Sequence, residues 1–550
     1  MPHLPLRKIM SASLLITTGH NSSAILVEDG TIVCGYEQER LSGIKSDSRY
    51  PADAIDLCLE MGKVKGVDDI YVSHWDPLGD LTQMKSKYWR PDLLPSHKSL
   101  HTLSMDFSHH DAHAHGALWY AESEQELPGR TLVLVCDGFG NFGEHISIYQ
   151  KNRKGLQLLE RYFGYEGSLG LMYQYMTAYL GMKMHEDEYK LLGYEAHIHE
   201  VDVDLIELSE ICNKQAMKRV KGYFNKNKLA KRDPVLALDA LPGVQKDFID
   251  DWDQICKKLA ISDPKSYRGR VILSYMTQTV LEAVMVSLLQ YIDHDNLVVA
   301  GGVFYNVKLN KELIQRTRGK FCAFPLAGDQ GGAIGLFHGQ NPGVLKPMKD
   351  LFWGVRPKMM ERPKAPGFVY ADQDSALPII IRAIERDGFC NLVRGAMEFG
   401  PRALCNTSTI AIPQMPVVEA INRANGRNTI MPMAPVMDRA EYMSRFLHTD
   451  RVWKSEKHMI VALPYAYGKS DDIQGAAHLY GDESTGRPQV IDLEDLLMQN
   501  LLDLVDSHVL INTSFNVHGV PIVLSARDAI NSHMSQRKLC PTVTTVYIEE

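Results

Sequence analysis

In Ser108-His109-His110-Asp111-Ala112-His113-Ala114-His115, His109 and His113 stand four residues apart. On a helix that spacing sends both imidazoles out of one face, one turn above the other. Neutral imidazole is a common transition-metal ligand, and an i,i+4 pair lets a single helix supply two ligands. The same spacing also occurs on helix surfaces with no function, so the chemistry depends on what else the chain provides. Asp329, in Leu326-Ala327-Gly328-Asp329-Gln330-Gly331-Gly332, is the carboxylate suited to complete a site with the two histidines. Two histidines and one carboxylate with open positions suit non-haem iron, with zinc or manganese as lesser choices.

These residues must be held by strands and turns. Residues 13–33 read as a strand meander: Ser13-Leu14-Leu15-Ile16-Thr17, a polar turn at Gly19-His20-Asn21-Ser22-Ser23, Ala24-Ile25-Leu26-Val27, then an Asp29-Gly30 hairpin into Thr31-Ile32-Val33. The first turn offers backbone N–H groups and small hydroxyls where a phosphate could bind. Pro51 opens a helix through Leu59. Thr131-Leu132-Val133-Leu134-Val135-Cys136 is a continuous apolar strand ending in Asp137-Gly138, a common place for an acid at a ligand or metal. Asn296-Leu297-Val298-Val299-Ala300 leads into Gly301-Gly302, and with Asn306 and Gly328 these are read as nucleotide-contacting positions where backbone can approach phosphate.

A chain of 550 residues should make two or three domains, and 341–366, rich in Pro, Lys and Met, reads as the connection between two. Boundaries of 1–345 and 366–550 follow. The 45% apolar and 23% charged fractions are those of a soluble protein, and a net charge of −8 argues against a general nucleic-acid coat. No apolar run reads as membrane-spanning, and 1–8 lack an apolar signal core. The nine cysteines are scattered, with no C-x-x-C, which suits reduced thiols; the expected compartment is cytoplasmic. Oligomeric state is open, with a homodimer as one candidate.

Two basic stretches carry aromatics. Lys214, Lys218, Arg219, Lys221, Lys226, Lys228, Lys231 and Arg232 enclose Tyr223 and Phe224 with no acid between, and 85–90 holds Lys85, Lys87, Tyr88, Trp89 and Arg90. Each is either a solvated face or a contact for DNA or nucleotide. Farther on, Val509-Leu510-Ile511 opens into Asn512-Thr513-Ser514-Phe515-Asn516, whose amides and hydroxyls suit anionic oxygens, while Arg394 and Arg402 could add bidentate phosphate contacts.

Four of these segments, in order, resemble the NodU/TobZ-type O-carbamoyltransferases: His109-His110-x-x-His113-Ala114, Gly328-Asp329-Gln330-Gly331-Gly332, Met397-Glu398-Phe399-Gly400-Pro401-Arg402-Ala403-Leu404, and Asn512-Thr513-Ser514-Phe515-Asn516-Val517. The resemblance spans 13–546. It implies an α/β chain with an actin-like ATPase-superfamily N-terminal domain and a YrdC-like C-terminal domain. In such enzymes the C-terminal domain converts carbamoyl phosphate and ATP, with Mg2+, to a carbamoyl-adenylate. The metal-bearing N-terminal domain then passes the carbamoyl group to an acceptor hydroxyl. By position His109, His113 and Asp329 match the metal ligands and Asp137 a metal-site or nucleotide-site acid. His20 matches the first-turn histidine, and Lys190 the Lys-x-x-Gly segment. Arg427, with Arg394, Arg402, Asn512, Thr513, Ser514 and Asn516, falls in the nucleotide-binding half.

A carbamoyl-adenylate is a mixed anhydride, so transfer needs its carbonyl polarised and the attacking hydroxyl deprotonated. His20 is the candidate general base. The chain departs from the family where Asn425 replaces a usual lysine, Asn428 a glutamate, Met431 an arginine, and His518 and Val520 a usual Arg and Glu. Those exchanges predict an activation step that is weakened, reorganised or supported by other cations. The acceptor is expected to be a small metabolite or the hydroxymethyl group of a modified pyrimidine, free or in DNA. The competing reading is a nucleotide-binding interaction protein of the same fold without adenylation. A threonylcarbamoyl-transferring tRNA enzyme is disfavoured by the fused C-terminal half and by 397–404.

Overall fold

The structure, a computed structural model, describes residues 11–74, 76, 80–224, 234–356, 362–427, 432–480 and 483–549. Residues 1–8, Lys226, Lys228, Lys231, Arg232, Asn428 and Met431 lie outside the described residues.

The meander forms as its pattern predicts: β1 (Ala12–Thr17), β2 (Ser23–Glu28) and β3 (Thr31–Glu37) are antiparallel neighbours. Asp29 and Gly30 both have positive φ, 48° and 76°, as a two-residue hairpin requires. The helix α1 (Gln38–Ser42) follows, and α2 (Ala52–Gly62) begins just after Pro51. β4 (Asp69–Ser73) and β5 (Ser99–Thr102) then extend the sheet on the other side of β1 in parallel, giving the order β3-β2-β1-β4-β5.

After α3 (His109–Glu122) the same plan is drawn again. β6 (Thr131–Cys136), β7 (Glu144–Asn152) and β8 (Gly155–Phe163) are antiparallel, and β9 (Asn296–Ala300) and β10 (Phe321–Ala323) continue in parallel from β6. The second order, β8-β7-β6-β9-β10, reproduces the first strand for strand. This duplicated five-stranded unit is the actin-like ATPase arrangement.

Between β8 and β9 run α4 (Leu169–Tyr179), α5 (Tyr189–Glu195), α6 (Leu205–Phe224) and two longer helices. One of these, Tyr267–Leu289, corrects the reading of the apolar runs: by length and composition it could cross a membrane. Its buried Val271, Leu273, Met276, Leu281 and Met285 instead form the centre of the largest core cluster, facing β6 and β9. All nine cysteines are free thiols, eight of them buried.

The C-terminal half is a mixed seven-stranded sheet. Its strands are β11 (Phe368–Ala371), β12 (Phe389–Val393), β13 (Thr407–Ala411), β14 (Ala434–Met437), β18 (Gln489–Val490), β19 (Leu510–Ser514) and β20 (Thr545–Ile548), in the order β11-β20-β12-β13-β19-β14-β18. A small sheet of β15 (Leu463–Pro464), β16 (His478–Tyr480) and β17 (Glu483–Gly486) sits beside it.

The halves are laced together. The Phe321 N–H donates to the Arg451 carbonyl at 2.7 Å and the Trp453 N–H to the Phe321 carbonyl at 2.9 Å, so 451–453 caps the outer edge of β10. The Trp453 indole donates to the Ala121 carbonyl at 2.8 Å, at the end of α3. Phe399, Leu404, Ala434 and Met459 complete a core cluster otherwise built from the N-terminal half and the connecting segment.

One close crossing sets the position of α3. At Gly335 in the helix Gly332–Gln340 a Cβ would lie 1.7 Å from the Ala112 carbonyl oxygen. Only glycine allows this approach, and it brings the Asp329 turn against the first turns of α3. Gly335→Ala should force the helices apart and cost about 3 kcal/mol of stability, read by thermal denaturation. A variant as stable as the parent would show that the crossing tolerates a methyl group.

Candidate active site

Ser108 caps α3: its hydroxyl accepts from the Asp111 N–H, and Asp111 accepts from the Ser108 N–H at 2.8 Å. The cap fixes where the helix starts, and therefore which face His109 and His113 share. Both rings are buried, with their Nε2 atoms 3.0 Å apart. Asp329 Oδ1 lies 3.3 and 3.7 Å from those two atoms, and Asp137 Oδ2 lies 3.4 and 3.5 Å from them. All four ligand atoms fall within 4.8 Å of one another. A tetrahedral shell with bonds of about 2.0–2.1 Å has edges of about 3.3–3.4 Å, close to these separations. The side chains are thus spaced to hold a divalent cation, and Asp137 stands among them as a second carboxylate.

The charges agree with that spacing. Burial disfavours a charged His109, but Asp329 and Asp137 outweigh it and hold the ring well above the usual histidine range; His113 is raised in the same way. Burial likewise disfavours a charged Asp329, yet His20 and His109 keep it well below the usual carboxylate range. Protons on the histidines balance the acids, and a cation would displace them. Metal uptake should therefore release protons, and apparent affinity should fall as pH drops. Calorimetry in buffers of different ionisation heat reads this directly; binding that neither releases protons nor weakens in acid would refute it.

Residues that sequence reasoning missed hold α3 in place. Asn141 accepts from the His109 N–H at 3.1 Å and donates to the Asp76 carbonyl at 2.5 Å. Glu144, fully buried, accepts from the His110 N–H at 2.9 Å and the Ser108 hydroxyl at 3.0 Å, with Arg161 3.2 Å away. Burial pushes the Glu144 carboxyl up to about 7. His74 is buried beside them, and burial and His109 push its ring down to about 4. None belongs to a spacing pattern, because their partners lie on other elements.

His20 is half exposed, with Nδ1 3.3 Å from Asp329 Oδ2. His185, at φ 65°, stands beside it with ring centroids 5.6 Å apart. Lys190 pairs with Asp187 at 2.8 Å and lies toward His518 and Arg427 rather than in the His–Asp cluster. Gly301 and Gly302 cover the strand end at Cys136 and Asp137, and Gly328 packs on Tyr305. Asn306 departs from expectation. Its Oδ1 caps the helix Val307–Arg316 through the Leu309 N–H at 2.9 Å, and its amide exchanges hydrogen bonds with Gln278, so the side chain is committed to structure.

In the C-terminal half the expected cations separate. Arg394 forms a bidentate pair with Asp495, one contact at 2.7 Å, and so is neutralised rather than offered to phosphate. Arg427 donates to the Thr513 hydroxyl at 2.7 Å, the Ser514 hydroxyl at 3.0 Å and Asn516 Oδ1 at 2.7 Å, which organises that loop. Asn512 is buried and donates to the Ala403 carbonyl and Gln489, both at 2.7 Å. Asn425, in place of the usual lysine, is a core amide bonded to Gln536 at 2.6 Å.

Arg402 is different. It neighbours Arg487, which sequence reasoning did not single out, and among the described residues no carboxylate compensates either one. Burial and Arg402 push Arg487 down to about 9. An arginine keeps its proton in a protein, so such a pair demands an anion. Tyr305 is near both groups: its hydroxyl accepts from Gln330, next to Asp329, at 2.6 Å, and its ring lies within electrostatic reach of Arg402.

The basic stretches are partly engaged. Trp89 is buried and packs edge-on against Tyr50, Arg90 pairs with Asp92 at 2.6 Å, and Lys218 pairs with Asp251 at 3.0 Å. Trp89 is therefore a core residue rather than a stacking platform.

One family matches the chain in both halves. The family model for the carbamoyltransferase N-terminus matches residues 13–92 and 93–336, and that for the carbamoyltransferase C-terminus matches 381–549. The chain belongs to the carbamoyltransferase family and is a carbamoyltransferase enzyme. An uncharacterized protein of Methanocaldococcus jannaschii is 26% identical over 540 residues, 94% of this chain and 96% of that protein. Nodulation protein NolNO of Sinorhizobium fredii is 25% identical over 575 residues, 96% of this chain and 78% of that protein. Among solved structures, component A of the Acidaminococcus fermentans (R)-2-hydroxyglutaryl-CoA dehydratase covers 60% of this chain and 97% of its own at 16% identity and a TM-score of 0.32. The duplicated strand order, not that likeness, identifies the fold.

Proposed function

We propose that the chain is an ATP-dependent O-carbamoyltransferase whose C-terminal half forms a carbamoyl-adenylate and whose N-terminal half transfers the carbamoyl group to an acceptor hydroxyl. One observation carries this reading: Tyr305 is bonded to Gln330, next to Asp329 of the His–Asp cluster, and is also within electrostatic reach of Arg402, which neighbours the uncompensated Arg487. A phosphate site and a transfer site that share Tyr305 would leave a labile mixed anhydride a short way to travel between them.

In the first step Arg402 and Arg487 would hold the phosphate of carbamoyl phosphate, and the Arg427, Thr513 and Ser514 loop the nucleotide phosphates. Water first cleaves the O–P bond of carbamoyl phosphate, releasing phosphate and carbamate; a carbamate oxygen then attacks the α-phosphorus of ATP, forming the carbamoyl-adenylate as pyrophosphate leaves. With Asn425 in the core, Arg487 supports the reading that other cations serve activation. In the second step His20 Nδ1–H donates to Asp329, which leaves the Nε2 lone pair to take the acceptor proton. The acceptor oxygen bonds to the carbamoyl carbon, and the bond from that carbon to the adenylate oxygen breaks, releasing AMP. A divalent cation held by His109, His113, Asp137 and Asp329, with iron as the expected choice, would supply Lewis-acid polarisation of the carbonyl.

The test is exchange of labelled pyrophosphate into ATP by purified protein, with and without carbamoyl phosphate. Carbamoyl-phosphate-dependent exchange is expected. Nucleotide binding with no exchange, even with hydroxylated acceptors present, would instead favour a nucleotide-binding protein that has lost adenylation.

A further inference from the structure

The turn that carries Arg402 is gripped from two sides. Within the C-terminal half, Glu398 Oε1 accepts from the N–H groups of Leu404, Asn406 and Thr407 at 2.6, 2.9 and 3.1 Å. From the N-terminal half, Arg40 Nη2 donates to the Gly400 carbonyl at 2.8 Å, and the Gly400 N–H donates to Glu37 Oε2 at 3.2 Å. Arg40 also donates to that same Glu37 oxygen through Nε at 3.3 Å and Nη2 at 3.2 Å. Both side chains are buried, and Arg40 Nη1 has no hydrogen-bond partner among the described residues. Phe399 lies against Trp353, ring centroids 5.1 Å apart, and anchors the turn from below.

A buried ion pair is a poor source of stability, because the desolvation of both charges offsets their attraction. Here the pair saturates both backbone groups of one residue in the other half, two positions before Arg402. Its contribution is geometric: it fixes the path of the turn that carries Arg402.

We propose that Glu37 and Arg40 are positioning residues for phosphate binding, so that the anion site of the C-terminal half is completed from α1 and the end of β3. This rests on reading Arg402 and Arg487 as phosphate-binding. The pair touches no substrate; it acts through Gly400.

The experiment is calorimetric titration of the full chain with inorganic phosphate and with carbamoyl phosphate. The parent is compared with Arg402→Ala, Arg40→Lys, Glu37→Gln and the Arg40→Lys/Arg402→Ala double variant. Lysine keeps the charge but cannot span Glu37 and Gly400 together. Arg402→Ala and Arg40→Lys should each weaken phosphate binding by about tenfold or more. The double variant should bind no more weakly than Arg402→Ala alone, while melting temperature and metal content stay at parental values. A merely structural role would lower both of those and make the two losses multiply. Parental affinity in Arg40→Lys, or multiplying losses, overturns the proposal. If Arg40→Lys does not fold, Glu37→Gln carries the same comparison. A parent that binds no phosphate, or Arg402→Ala binding like the parent, instead removes the phosphate reading itself.

Discussion

His109→Ala protein is expected to exchange pyrophosphate into ATP at close to the parental rate while losing carbamoyl transfer by about a thousandfold or more. The division follows from position. His109 sits in a cluster with His113, Asp137 and Asp329, and Arg402 and Arg487 are not among its members. Removing its imidazole takes one of four ligand atoms from the cation and leaves two buried carboxylates facing a single histidine. Asp329→Ala should show the same split, with a larger loss because it also removes the partner of His20. The measurement is paired: exchange without acceptor, and AMP release with carbamoyl phosphate and a panel of hydroxyl acceptors. Equal loss of both activities in either variant would mean that the two half-reactions do not divide between these two groups.

The complementary loss is expected at Arg487. Arg487→Ala should reduce exchange by about a hundred- to a thousandfold, the usual cost of removing one charge-stabilising donor from a phosphoryl-transfer site. Metal content should remain parental. Its effect should exceed that of Arg394→Ala, because Arg394 is already paired with Asp495 and its removal strands an acid rather than a phosphate. If Arg394→Ala proves the more damaging to exchange with the fold intact, the assignment of cations in the C-terminal half is reversed.

The residues that carry chemistry in the N-terminal half were legible because they fall on regular elements. His109 and His113 share a capped helix, Asp137 ends a strand that is apolar throughout, and the Asp29-Gly30 hairpin announces itself. Glu144, Arg161 and Asn141 were not legible, since their partners lie on other elements and no spacing encodes a tertiary hydrogen bond. The arginines of the C-terminal half show the same limit from the other direction. Arg394 and Arg402 look alike in sequence, and only the position of Asp495, a hundred residues away, tells the neutralised one from the one that needs an anion. Asn306 was misread for a related reason: a polar residue after a glycine turn suits a ligand and a helix cap equally well, and here the cap is made. The helix Tyr267–Leu289 escaped notice because Gln278 and Thr277 interrupt its apolar face, yet both are buried and bonded internally.

The lacing of 451–453 onto β10 bears on how this chain could be cut or inherited. A fragment ending near residue 345 would expose the outer edge of β10, an open row of backbone donors and acceptors that recruits other strands. It would also uncover the surface that Phe399, Leu404 and Met459 now close. Such a fragment should aggregate rather than work as a free-standing transferase. Splitting the gene there would require the two products to assemble as they are made, which favours keeping both halves on a single polypeptide.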